Sequence, residues 1–254
     1  MTALARGLEV LRCFTPQRPE LGTTELARLT GMPQPTVWRL CYTLQHMGCL
    51  VPGRAQDKLR PGPAMLALGY AAVSSSGLAE FAYPLMRDLA ERHHVAVTLA
   101  VREHLSMIVV QRAEAFGVPR LGVYVGSAFP IATGTLGRSY LAGVDKAVRD
   151  ELFEYLRREA PEDWDSTRKG IAAALKERER TGYVLNLREF HPRINSIGMP
   201  IVSPDGHVIA VTCGGDVSIV SRKLLEGPIA RALRALAQRI GPVLATLEPT
   251  VATS

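Results

Sequence analysis

Between Thr23 and Met47 the chain sets two short stretches of helical period on either side of Thr30-Gly31-Met32, and that arrangement leaves few folds open. The first stretch begins at Thr23 or Thr24, where a hydroxyl can cap the first turn and Glu25 suits the positive end of a helix. Leu26, Ala27 and Leu29 give it an apolar face. Gly31 is free to take the positive φ at which helices often end. The second stretch starts at Pro33 or Gln34 and runs to about Met47. Pro35 fits its first turn, because amides there have no intrahelical acceptor to lose. Val37, Leu40, Cys41 and Leu44 make its core stripe, with Gln34, Thr36, Trp38, Arg39, Tyr42 and Thr43 on or beside the opposite side.

Two helices, a glycine turn and a polar N-terminal half on the second helix make a helix-turn-helix. Such a unit carries the start of its second helix to base edges in the major groove of double-stranded DNA. Gln34 and Arg39 have the donors and acceptors to read bases, and Thr36 can bond phosphate. Thr23, Pro35, Trp38 and Tyr42 complete the surface expected at DNA. Cys49–Val51 and Lys58–Arg60 are predicted strands of a hairpin, a wing whose Arg54, Lys58 and Arg60 would lie along the backbone or minor groove. Residues 1–77 carry eight Lys/Arg against four Asp/Glu, and the remainder 22 against 20, so the basic excess is concentrated where phosphate contact is expected.

Upstream, Leu4, Leu8 and Leu11 predict a helix over Thr2–Cys13, and Pro16, Pro19 and Gly22 a loop after it. Downstream, Met65–Val73 predicts an apolar-rich helix ended by Ser74-Ser75-Ser76-Gly77. An exposed helix bearing Met65, Leu66, Leu68, Tyr70 and Val73 wants a partner, and twofold DNA half-sites call for at least a dimer. Beyond it the pattern predicts a helix over Leu78–Arg92, then strands over Val95–Val101 and Met107–Val110 and near Leu121–Val125. Helices over Thr135–Ala142, Val144–Arg158 and Ser166–Arg180 follow. Strands Ser196–Val202 and His207–Cys213 flank the turn Pro204-Asp205-Gly206, and a last helix runs from about Ser221 to Leu247. Strand pairs joined by turns, with helices against them, imply an α+β layout with a mostly antiparallel sheet.

Several classes are disfavoured. No apolar run approaches the ~18 to 20 residues of a membrane span, and the start lacks a signal-peptide core, so a cytoplasmic location is expected. Cys13, Cys41, Cys49 and Cys213 form no metal-binding spacing, and adjacent His93 and His94 would point about 100° apart on a helix. No metal and no cofactor is expected. GxSxG, P-loop and GxGxxG motifs are lacking, so no catalytic residue is assigned. The alternative is an enzyme acting on a small metabolite with an appended DNA-binding module.

Thr24-Glu25-Leu26-Ala27, Gly31-Met32-Pro33, Thr36-Val37-Trp38-Arg39-Leu40 and the run Gly62–Gly69 resemble the IclR family of bacterial transcriptional regulators. Two departures stand out: a small hydroxyl residue is usual where Pro35 stands, and the wing's usual Tyr-Arg-Leu becomes Leu59-Arg60-Pro61, which predicts a shorter wing. Gly126–Pro130 leading into Thr135–Ser139, then Gly182-Tyr183 and Asn195–Pro200, extend the resemblance over nearly the whole chain. It implies a winged helix-turn-helix over 1–62, a linker helix over 63–77 and a GAF-like effector-binding domain over 78–254. It also implies an operator DNA partner, a homodimer or dimer of dimers, and a small carboxylate or aromatic acid as effector. The matching pocket positions are Thr135 and Leu136 on one side and Asn186, Ser196, Cys213 and Gly215 on the other. Some relatives carry an acid at the place of Asn186 and a hydroxyl at that of Gly215. Thr135 at a helix N-terminus suits a carboxylate, Ser196 adds a donor, and Arg193 is the candidate cation for an anion.

Overall fold

The computed structural model describes residues 2–75, 77–118, 122–189 and 191–247. The chain divides into two units, Met1–Ser75 and Ser76–Ser254.

The first unit holds α1 (Ala3–Arg12), α2 (Thr23–Thr30), α3 (Gln34–His46), a hairpin of β1 (Leu50–Pro52) and β2 (Leu59–Pro61), and α4 (Pro63–Ser74). Val10, Leu26, Val37, Cys41, Leu50 and Leu59 close its core. Gly31 ends α2 at φ 67°, as the turn requires. The start of α2 differs from expectation. Gly22 occupies the cap position, and the Glu25 carboxylate reaches back to accept from the Gly22 amide at 2.7 Å. The threonines are thereby spared, and Thr24 Oγ1 instead accepts from Gln34 Nε2 at 3.0 Å, tying α2 to α3.

The wing is not cut short by Pro61, which sits at the end of the ladder opposite Leu50. Residue 61 is a position whose nitrogen faces away from β1, so proline costs the ladder nothing, and the next bond is made by Gly62 N donating to Cys49 O at 2.8 Å. Only glycine fits there, since a Cβ would lie 2.2 Å from Gly48 O. At the tip, the Glu20 carboxylate accepts from the Arg54 amide at 3.0 Å, which anchors the wing to the loop before α2. Helix α4 has no buried residue within the unit, and Leu66, Leu68 and Tyr70 stand exposed.

The second unit is built on an antiparallel six-stranded sheet of order β5-β4-β3-β8-β7-β6. Its strands are β3 (Ala96–Glu103), β4 (Ser106–Glu114), β5 (Ala128–Pro130), β6 (Val184–Leu187), β7 (Ile194–Val202) and β8 (Val208–Asp216). On one face, α5 (Gly77–His93) and α10 (Ala230–Leu247) cover Val97, Leu99, Ile197, Val211 and Cys213. On the other, α6 (Gly134–Gly143), α7 (Lys146–Glu159) and α8 (Trp164–Thr181) pack toward Ala100, Val109 and Ala210. Side chains alternate along a strand, so the two faces draw on opposite parities of residue number. Helix α6 comes unusually close to the sheet: a Cβ on Gly198 of β7 would lie 2.6 Å from Thr135 Cγ2 and 2.5 Å from Ser139 Oγ.

Two expectations need correction. The strand expected near Leu121–Val125 is absent over 122–125, which form turn and coil, while Leu121 lies outside the described residues. The edge strand is instead β5, paired with β4 through Met107 and Phe129. The pattern predicted no strand at Val184–Leu187, where β6 forms the other edge. The last helix runs without a break over Arg222–Leu247, as expected. A short α9 (Arg222–Leu224) leads into a π-turn at Leu225–Ile229, whose wider spacing accommodates Pro228 before α10 begins.

Candidate DNA interface and ligand cavity

Pro33 precedes α3 and Pro35 sits in its first turn, so the helix begins with few amides to satisfy and a polar surface facing out. Gln34, Pro35, Trp38, Arg39 and Tyr42 are all exposed, and Thr36 is half-buried. Four-residue spacing lines up Gln34, Trp38, Tyr42 and His46 on one stripe. The Trp38 and Tyr42 rings stack with centroids 5.7 Å apart and planes 18° apart, and the His46 ring follows Tyr42 at 4.9 Å. Trp38 remains 58% exposed despite this stacking, which leaves a large aromatic surface open on the outer side of α3. Arg39, Arg54 and Arg60 are exposed, and among the described residues none is in an ion pair. Lys58 is different: its ammonium is paired with Glu25, the carboxylate that also caps α2. The Gly22 amide first, and then that pairing, hold the Glu25 carboxyl below its usual range. Thr23 is half-buried at the start of α2.

In the second unit a cavity of about 160 Å³ opens between the sheet and the start of α6. It matches the scale of an apolar protein cavity of ~150 Å³ known to admit benzene, so one ring with small substituents fits. Val118, Val123, Phe129, Leu136 and Ile194 give it apolar walls. Thr98, Arg112, Thr135, Ser196 and Thr212 give it polar groups, and His191 stands at its border with Gly214 and Gly215. Thr135 and Ser196 hydroxyls meet at 2.6 Å across the gap between α6 and β7. Two hydroxyls carry two protons and this bond uses one, which leaves a donor for a third group. The α6 cap residue Thr133 makes no side-chain cap, so the first-turn amides beside the cavity are not satisfied that way.

The sequence-derived pocket residues divide on the structure. Thr135, Leu136, Ser196 and Gly215 line the cavity. Asn186 lies on the same face of β6, paired in register with Ser196, and is buried behind it rather than lining the space. Cys213 has the wrong parity: it pairs with Val97 and Ile197 and is buried in the core under α5 and α10. Burial pushes its thiol well above the usual range, which makes it inert as a nucleophile. Arg193 precedes β7 and turns away, its guanidinium bonded to Asp216 Oδ2 at 2.7 Å with the side chain 69% exposed. The cation that does line the cavity is Arg112, which the sequence reading missed. Carrying the strand past Val110 to Ala113 would have placed Arg112 on it, but strict alternation from Met107 puts residue 112 on the opposite face.

A winged helix-turn-helix followed along the chain by a sheet-and-helix unit with a single-ring cavity defines a class of regulators that read DNA with one unit and a small molecule with the other. The chain belongs to the IclR family: the profile of the bacterial transcriptional regulator IclR C-terminal domain matches residues 70–241, and that of the IclR helix-turn-helix domain residues 3–52. It is 31% identical over 202 residues to the HTH-type transcriptional regulator TsaQ1/TsaQ2 of Comamonas testosteroni, covering 79% of this chain and 72% of that one. An IclR family regulator from Brucella abortus superposes with a TM-score of 0.85 at 38% identity, covering 94% of this chain and 91% of the other. An IclR homologue from Microbacterium hydrocarbonoxydans, complexed with 4-hydroxybenzoate, shares the fold with a TM-score of 0.71 at 22% identity over 94% of this chain and 98% of that one. The protein is a transcriptional regulator with a helix-turn-helix and an effector-binding domain of α+β, GAF-like architecture. Among the described residues no helix is long and apolar enough to cross a membrane.

Proposed function

We propose that this regulator binds an operator through α3 and the wing, and that a small organic acid in the cavity beside α6 modulates that binding. The observation that carries the effector half is the cavity itself, sized for one ring and lined, among the described residues, by hydroxyls, an arginine and uncapped helix amides but no carboxylate. The 4-hydroxybenzoate held by the Microbacterium homologue supports a single-ring acid. In this reading Thr135, Leu136, Ser196 and Gly215 contact the ligand, and Asn186 supports Ser196 from behind. Gln34, Pro35, Thr36, Trp38, Arg39 and Tyr42 face the major groove, with Thr23, Arg54 and Arg60 toward the backbone. Lys58 braces α2 through Glu25. Residues 1–62 read DNA, 63–77 link, and 78–254 sense the effector. The exposed apolar residues of α4 are buried in a homodimer, which supplies two reading heads for twofold half-sites. The molecule works in the cytoplasm, where its DNA is, and does no catalysis.

The test is fluorescence anisotropy of the full chain against DNA upstream of its own gene, across salt concentrations and beside Arg39→Ala. Specific binding that weakens steeply with salt, and an Arg39→Ala variant that loses discrimination by about 1–3 kcal/mol, are expected. Binding that ignores salt and treats all sequences alike in both proteins sinks the operator reading.

A further inference from the structure

Strand β4 contains an irregularity with a chemical consequence. Its register with β3 shifts between Leu99 and Ala100, which face Gln111 and Val109, so Val110 is an extra residue. A bulge of this kind reverses the parity of the strand on either side of it. Before it, Met107 and Val109 face the α6 side and join the core there. Without the bulge Arg112 would point to the opposite face, into the apolar core under α5 and α10. With it, Arg112 stands opposite Thr98 and faces the cavity.

The guanidinium is then held in place. Its Nη1 donates to Thr98 Oγ1 at 3.1 Å and its Nε to Glu114 Oε2 at 3.0 Å. The side chain is only 12% exposed, and among the described residues Nη2 has no partner. Glu114 is not in the cavity lining, so among the described residues Arg112 is the only permanently charged side chain there. A guanidinium keeps its charge when buried, and its planar fork matches a carboxylate. Opposite it in the lining, Thr135 and Leu136 belong to the first turn of α6, where the helix end also favours negative charge.

We propose that Arg112, aimed by the β4 bulge and braced by Thr98 and Glu114, is the residue through which the cavity selects anions, taking the carboxylate of a single-ring acid and rejecting its neutral counterparts. This rests on the reading of the cavity as the effector site. The ring lies against Phe129, Ile194 and Leu136, and the spare hydroxyl proton of the Thr135–Ser196 pair is left for a second polar substituent. Arg193, bonded to Asp216 at the surface, has no part in it.

The experiment titrates the full chain with matched pairs, benzoate against benzamide and 4-hydroxybenzoate against 4-hydroxybenzamide, by calorimetry and thermal shift. The wild type is expected to bind acids and not amides. Arg112→Met, made alone and together with Glu114→Gln to separate loss of the guanidinium from loss of its carboxylate brace, is expected to lose roughly tenfold to a hundredfold in acid affinity while the preference over amides disappears. Arg112→Lys keeps the charge without the fork and is expected to fall between. Leu136→Trp fills the cavity and locates the binding. If acids bind Leu136→Trp unchanged, the cavity is not the effector site and the underlying reading fails. If binding is lost in Leu136→Trp but amides bind the wild type as well as acids, or Arg112→Met holds acids as tightly as the wild type, the effector site stands and the role of Arg112 is overturned. Binding of neither series by the wild type also overturns the selectivity proposed here. Circular dichroism and a cooperative thermal transition, measured for each variant, show that it folds.

Discussion

Asp216 ends β8 with a carboxylate that accepts from the Ser218 amide at 3.0 Å, from Ser218 Oγ at 2.7 Å and from Arg193. The Ser218 amide and hydroxyl, then Arg193, pull its pKa down from the usual carboxylate range to about 2. A group whose folded pKa is depressed contributes stability that is present above its unfolded pKa, near ~3.9, and is lost as pH falls through the folded value. Asp216→Asn is therefore expected to be less stable than the wild type at neutral pH. The gap should close between about pH 4 and about pH 2. Urea melts across that range check it, and a gap that stays constant with pH would mean the carboxylate charge plays no part. The same residue explains why Arg193 is not the cavity cation: an exposed arginine beside a buried-edge carboxylate is already spoken for.

At the scale of elements, α6 decides how the cavity is built, and it does so through missing side chains. A Cβ on Gly137 would lie 2.0 Å from Ile131 O, and one on Gly143 would lie 2.3 Å from Pro200 Cβ. Both contacts are against parts that cannot swing aside. Gly137→Ala is expected to cost about 1–3 kcal/mol of stability by overpacking, read by urea denaturation. It should also weaken acid binding, because Thr135 and Leu136 ride on the displaced turn. A neutral Gly137→Ala would show that the approach of α6 is looser than described. These contacts also mark the limit of what residues reveal before folding. The helix-turn-helix was legible because its cues are local: an apolar stripe, a glycine at positive φ and a proline where it does no harm. Thr135, Leu136, Ser196 and Gly215 were legible through family resemblance and do line one space. Cys213 was misplaced because parity is fixed only once β8 is set beside β3 and β7. Arg112 was missed because a one-residue bulge breaks the alternation that strand reading depends on. The three-residue β5 ends in a proline and carries almost no periodic signal at all.

At the scale of the whole molecule, two ligands share one chain, and their affinities are bound by linkage. If an acid in the cavity changes operator affinity by some factor, operator must change acid affinity by the same factor, typically about 5–150-fold for coupled sites. Calorimetric titration of the acid with and without operator DNA checks this, and equal affinities in both would remove the coupling. The stacked ring on α3 makes such work easier than the fold alone suggests. The chain has two tryptophans, one in each unit. Trp38 stands in solvent on the surface proposed to meet DNA, whereas Trp164 is half-buried with its ring edge against Phe153 at 5.6 Å. Indole emission shifts to the blue and changes yield when water leaves the ring. The protein thus carries a built-in optical gauge for each unit, and replacing Trp164 with phenylalanine would leave a single native lamp on the reading head, dimmed or shifted as DNA arrives.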